Sequence, residues 1–254
     1  MTTPTVARRA WVEQIMGMPI SVHVRAQDID RPEIAAAVGH VFDHLRQVDQ
    51  VFSAWRYDSQ LLRLRRGELT MERAHPWVRE VLDLCGEAER RTEGLFTATL
   101  PDPSGRDRSG ELHWDPTGLV KGWAVEGAAA YVHDLPQISF CLNAGGDLLV
   151  GAGRGMDRGT DTWRIGIQDP AYPLRVMRVV SVSDGAVATS GTSARGAHIL
   201  DPGTGRSIDR VGSATVYGPG IMWADIWATA LFVDPVRGAA LMGRKDPAYA
   251  SILL

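Results

Sequence analysis

Cysteine and lysine are the scarce residues of this 254-residue chain, with two of each. Cys85 and Cys141 stand far apart and neither belongs to a CxxC pair, so no dithiol motif is present. Cys85 falls in an expected helix and Cys141 in an apolar strand; both read as buried free thiols, with a disulfide left open. No basic tract follows the pattern of a phosphate-backbone binder, and the formal net charge is only -3. Nucleic acid is therefore not the expected partner. No stretch approaches the roughly eighteen apolar residues of a spanning helix, so membrane insertion is not expected. The run from Met1 through Arg8 and Arg9 to Trp11 lacks the apolar segment of a signal peptide. The chain reads as cytoplasmic, or as exported if a leader has been removed.

What is present is ordinary globular material, 44% hydrophobic and 22% charged. Ile20, Val22 and Val24 alternate as the second arm of a hairpin turning near Gly17 and Pro19. Ile34, Val38, Val41, Phe42, Leu45 and Val48 repeat at helical spacing, with Pro32 suited to the first turn. A second helix is expected over Pro76 to Arg91 and a third over Trp123 to His133. Residues 101–110, rich in proline, glycine and charge, read as a surface loop. The second half changes character. Short apolar runs at Ile138–Leu142, Leu148–Val150, Trp163–Ile167, Val176–Val182, Ala197–Leu200 and Ala214–Tyr217 alternate with glycine-rich turns. Trp223 to Val233 returns to helix, which Pro235 ends or kinks. This order gives an α+β fold with mainly antiparallel sheet and packed helices, as one domain over 1–254.

Polar residues gather in four places. Asn143-Ala-Gly-Gly-Asp147 joins two strands, where Gly145 and Gly146 serve a tight turn or offer their amides to phosphate oxygens. Ala188-Thr-Ser-Gly191 ends a strand of small residues in hydroxyls, with Arg195, His198 and the turn Asp201-Pro-Gly-Thr-Gly205 following. Ser190 lacks the nucleophile-elbow pattern and is not an expected nucleophile; Asp201 is placed to bond Gly203 or Thr204 in an Asx turn. Asp225 and Thr229, four apart in an expected helix, share one face and are hard oxygen ligands of the kind Mg²⁺ prefers. Their structural alternative is a helix cap with a packed hydroxyl. Lys121, in Gly118-Leu-Val-Lys-Gly122, is either a phosphate-facing charge or a solvated residue at a helix start.

Taken in order, these clusters resemble the ApbE family of FAD:protein FMN transferases across nearly the whole chain. The likeness begins at Met16-Gly17 and continues through Phe52-Ser53-Ala54-Trp55 and Asp58-Ser59-Gln60-Leu61. It then passes through Gly118 to Gly122, Asn143 to Asp147, Trp163 to Pro170, Ala188 to Gly191, His198 to Gly205 and Ala224-Asp225 through Thr229-Ala230. The resemblance implies an α+β fold, FAD extended in a cleft, and transfer of its FMN half to a threonine of an acceptor protein with release of AMP. It places metal ligands at Asp225, Thr229 and the carbonyl of Gly118, and Mg²⁺ as the metal. Met16 and Trp55 would line the flavin or adenosine region, Lys121 and Asp147 would lie near the dinucleotide, and Ser190 with Gly191 would hold phosphate. His198 would stand by the reacting phosphoryl group as base, with Asp225 as the second catalytic residue.

Three departures accompany the likeness. Met18 replaces the family's threonine after Met16-Gly17, Thr97 stands where relatives carry aspartate after Gly94-Leu-Phe96, and Thr192-Ser193 replaces Asp-Tyr after Gly191. Two other activities use the same cleft. One is hydrolysis of FAD to FMN and AMP, with water in place of threonine; the other is FAD binding or flavin delivery without chemistry.

Overall fold

The computed structural model describes residues 6–101, 112–156, 161–172, 174–192 and 199–254. The elements in chain order are β1 (Ala7–Ile15), β2 (Met18–Ala26), α1 (Pro32–Phe52), α2 (Gln60–Arg65), α3 (Pro76–Thr92), β3 (Thr99–Pro101), β4 (Leu112–Trp114) and α4 (Thr117–His133). There follow β5 (Ile138–Ala144), β6 (Asp147–Ala152), β7 (Trp163–Gln168), β8 (Val176–Val182), β9 (Gly185–Gly191), β10 (Ser213–Gly218), α5 (Ile221–Val233), α6 (Pro235–Lys245) and β11 (Ala250–Leu253). Seven strands form one sheet in the order β1-β2-β5-β6-β9-β10-β11, and every neighbouring pair runs antiparallel. The expected α+β architecture with mainly antiparallel sheet is the one observed.

Alternation explains how the sheet is covered on both sides. In β5, Ile138, Phe140, Leu142 and Ala144 point to the helices and join the main core, while Cys141 points the other way into a second cluster with Val150, Val187, Ile165 and Ile167. A strand buried on both faces loses the apolar-polar alternation, and β5, buried at all positions but the half-buried Asn143, does so over Phe140-Cys141-Leu142. Helices α1, α4 and α5 form the layer on the first face. The β7–β8 ribbon lies on the second, tied down where the Arg25 guanidinium stacks 3.7 Å over Trp163 and bonds Asp161 at 2.6 Å.

Glycine sets the distance between α4 and α5. A Cβ on Gly122 would fall 2.6 Å from the Cα of Met222, so only glycine lets the two helix backbones meet there. Helix α5 is apolar on all sides because sheet and helices enclose it, and Ile226, Trp227 and Leu231 are fully buried.

Several sequence expectations shift. The first hairpin turns at Met16 and Gly17, whose φ values of 56° and 71° are those of a two-residue turn with both central residues left-handed; Pro19 lies inside β2. Helix α4 begins at Thr117 rather than Trp123, because Asp115 accepts from the Thr117 amide at 3.0 Å and starts it a turn and a half earlier. Pro235 neither kinks α5 nor merely ends it. It occupies the first position of α6, whose start is capped by Asp234 accepting from the Val236 and Arg237 amides. Most of the expected loop at 101–110 lies outside the described residues, as do Ala197 and His198 of the expected strand; Leu200 makes an isolated bridge to Ser207. Both cysteines are buried and free.

Candidate functional site

The sheet ends in a cleft of about 910 Å³, at the edge where β5 stops, β6 starts and β9 stops. Met16 and Met18 form one side of its lining, Phe52 to Trp55 another, and the β7 strand a third. The floor carries Asp147, Ser190, Asp225 and Thr229, with Gly118 and Lys121 supplied by α4. A cleft of this size falls in the range of small-molecule sites, about 300–1,000 Å³.

The floor is organised around Lys121. Its ammonium contacts the Asp147 carboxylate and lies 3.2 Å from Asp225 Oδ2. Both carboxylates are buried, at 3% and 7% exposure, and Lys121 is largely covered at 17%. Burial by itself would depress the lysine; the Asp225 and Asp147 carboxylates outweigh it and hold the ammonium above its usual range. The solvated alternative for Lys121 therefore falls. So does the helix cap for Asp225, since Gly220 caps α5 and Asp225 lies inside the helix.

Each neighbour follows from strand register. The β6–β9 ladder ends at Leu148 opposite Val187, and beyond it the Asp147 side chain takes over by accepting from the Thr189 amide at 2.9 Å. The Thr189 hydroxyl meets that of Thr215 at 2.9 Å, and the Ser190 hydroxyl meets that of Thr229 at 3.1 Å. Strand β9 thus presents Ser190 to α5, whose Asp225 and Thr229 share one helical face. Turn and site coincide in the β5–β6 hairpin. Gly145 and Gly146 have φ of 62° and 105°, Asn143 Oδ1 accepts from the Gly146 amide at 2.9 Å, and all three line the cleft.

Metal-binding capacity rests on oxygen. Among the described residues no three His, Cys, Asp or Glu side chains cluster as a metal set. The available donors are the Asp225 carboxylate, the Thr229 hydroxyl and the backbone at Gly118, where a Cβ would lie 3.4 Å from Phe96. These are hard ligands, and one ammonium against two carboxylates leaves the floor net negative. The residues fit a small divalent cation.

Other expected residues divide. Met16, Trp55, Lys121, Asp147, Ser190, Gly191, Gly118, Asp225 and Thr229 all line the one cleft. His198 lies outside the described residues. Asp201 accepts from the Gly203 amide at 2.8 Å, the Asx turn its neighbours implied. Thr97 lines the cleft and spends an oxygen on the Thr99 amide at 3.1 Å, while the Thr192 hydroxyl turns away to the Arg210 carbonyl at 2.8 Å. Sequence reasoning missed Asp49 and Asp115, both in the lining. The signal for Asp115 was available: Asp-Pro-Thr before a helical segment is a helix start.

Fold and site together define an α+β protein with one large cleft and a carboxylate-lysine-hydroxyl floor. The sequence pattern of the ApbE family matches residues 16–104 and 100–253, and the chain belongs to that family. It is 35% identical over 165 residues to an FAD:protein FMN transferase of Vibrio cholerae, a stretch covering 61% of this chain and 48% of that protein. Another, from Rhodobacter capsulatus, is 32% identical over 176 residues, covering 64% of this chain and 32% of its own length. The matched stretch thus spans half or less of each of these relatives. The fold agrees with the crystal structure of the Pseudomonas stutzeri flavinyl transferase ApbE, with a TM-score of 0.79 at 23% identity over 100% of this chain and 92% of that one. It agrees also with the ApbE protein of Thermotoga maritima, with a TM-score of 0.76 at 19% identity over 97% and 94%.

Proposed function

We propose that this chain, acting as one domain over 1–254, transfers the FMN half of FAD to a threonine hydroxyl of an acceptor protein and releases AMP, with Mg²⁺ as the metal. The observation that carries the reading is the floor: Lys121 between Asp147 and Asp225, with the Ser190–Thr229 hydroxyl pair beside it, all within one cleft. Relatives described as FAD:protein FMN transferases supply the class of reaction.

In the transfer, the threonine oxygen attacks the FMN-side phosphorus and the bond to the bridging oxygen breaks, so AMP leaves with that oxygen. The hydroxyl proton passes to a base, a role the sequence offers to His198 because imidazole is the commonest side-chain general base. Asp225, Thr229 and the Gly118 carbonyl would hold Mg²⁺, which supplies charge neutralisation for the pyrophosphate and the departing AMP. Lys121 adds a fixed positive charge at the same floor, and the Ser190 hydroxyl and Gly191 amide present donors to phosphate oxygens. Met16 and Trp55, both in the lining, would hold a ring system of the FAD.

The test is incubation with FAD, Mg²⁺ and a threonine-bearing candidate acceptor, read by intact-protein mass and AMP release. Mass gained by the acceptor together with AMP supports transfer. Free FMN and AMP with no acceptor mass gives hydrolysis instead, and tight FAD binding with no AMP gives a flavin carrier.

A further inference from the structure

At the mouth of the cleft, helix α1 ends in an arrangement that helix energetics disfavours. Asp49 lies in its last turn, where the macrodipole is negative, and no basic residue stands there to offset it. The side chain is half-buried and lines the cleft beside Phe52, Ser53 and Trp55. Burial raises its carboxyl above the ordinary aspartate range, against the smaller opposing effects of Arg56 and a bond from Ser53. A carboxylate held against both dipole and desolvation in the lining of a cleft is a candidate functional group.

Two further features give the position a ligand chemistry. Trp55 is 82% exposed, an indole face left open at the cleft mouth. The Ser53 oxygen accepts from the Trp55 and Arg56 amides at 3.4 and 3.3 Å while its hydroxyl bonds Asp49, so carboxylate and indole are held by one short loop. A carboxylate offers about four acceptor sites and Ser53 uses one. The guanidinium that acts on it, Arg56, is itself engaged with Asp58 at 3.2 Å. The remaining acceptor capacity and the exposed indole line the same cleft, six residues apart in the chain and joined through Ser53.

We propose that Asp49 is a specificity-determining residue that accepts a hydrogen bond from an N–H donor on the edge of a heteroaromatic ring stacked on Trp55. The donor is an exocyclic amine or a ring imide N–H; adenine carries the first and isoalloxazine the second. Asp49 rejects rings whose edge offers only acceptors at that point, because its carboxylate would be desolvated without a partner. This inference rests on the dinucleotide reading of the cleft and adds to it which edge of the ring is read.

The test measures direct binding by calorimetry, with FAD, FMN and ADP as separate probes, for the wild type and for Asp49→Asn, Ser53→Ala and Trp55→Ala. Asp49→Asn is expected to weaken FAD and one of the two half-ligands by roughly tenfold or more, leaving the other unchanged. The affected half names the ring. Ser53→Ala keeps the carboxylate and is expected to weaken the same half-ligand less. Equal weakening of both halves by Asp49→Asn, with a matching loss from Ser53→Ala, would show that Asp49 only holds the loop and would overturn the proposal. Unchanged FAD binding in Asp49→Asn while Trp55→Ala loses it would also overturn it, with the dinucleotide reading intact. Failure of the wild type to bind any of the three probes would sink both.

Discussion

The Lys121 ammonium lies 3.2 Å from Asp225 Oδ2 and also contacts Asp147, so one cation from α4 bridges carboxylates from a strand and from a second helix. Removing it as Lys121→Met leaves two nearly inaccessible carboxylates facing each other. The expected loss of stability is about 3–5 kcal/mol in urea unfolding, the range for one partner taken from a buried ion pair. A loss below about 1 kcal/mol would show that the carboxylates do not depend on the lysine.

The same contact fixes a pH window. The folded lysine is held above its usual value, so its contribution is complete below the unfolded value of about 10.4 and declines as pH rises further toward the folded one. The stability gap between wild type and Lys121→Met is therefore expected to stay constant from neutral pH to about pH 9 and to narrow only above about pH 10. A gap that closes between pH 7 and 9 would contradict the raised lysine.

Asp225→Ala and Thr229→Ala separate metal from fold. Both are expected to abolish Mg²⁺-dependent AMP release. Ser190→Ala, which removes the hydroxyl 3.1 Å from Thr229 and with it one donor to the phosphate, should cost about 1 kcal/mol of stability and reduce turnover less. Near-normal AMP release with intact magnesium dependence in Asp225→Ala would remove Asp225 from the metal site.

Gly122→Ala tests how the floor is spaced. The added methyl meets the Met222 backbone at 2.6 Å and is expected to cost about 1–3 kcal/mol while moving Lys121 relative to Asp225. Gly39→Ala in α1, with nothing within 4 Å, serves as the control and should be neutral or stabilising. Equal melting temperatures for the two variants would count against the close approach.

Thiol chemistry gives an independent check on burial. Desolvation pushes both the Cys85 and Cys141 thiols up to about 12. At pH 8 neither is expected to react with iodoacetamide until the protein unfolds, and the labelling rate should follow the urea transition. Stoichiometric labelling of the native protein would show an open route to one of them.

Much of this was legible because local and tertiary signals agreed. Helices α1 and α3 carry proline in their first turn and a regular apolar stripe, and the expected spans fall short of the observed ends by four residues and one residue. Elements were lost where a local signal had two meanings. Pro235 reads equally as a stop and as a first helical position, and the choice depends on Asp234 bonding forward. Gly118 and Gly122 look like loop residues, yet their small size serves contacts with Phe96 and Met222 that no local window contains. At the site, Asp225 looked like a cap because spacing gives a face and not a depth. Its better signal was composition: it is the one charged residue of the otherwise apolar α5. Asp49 had no such contrast, being one of several acids on a mixed helix.

The cleft lining starts at Met16 in the first hairpin and ends at Thr229 in the fifth helix, so no contiguous fragment holds a usable part of it. Ligand occupancy and global folding are then a single equilibrium. Saturation at a hundred times the dissociation constant adds about 2.7 kcal/mol to the unfolding free energy of the whole sheet, so protection from proteolysis can report occupancy before any acceptor is known.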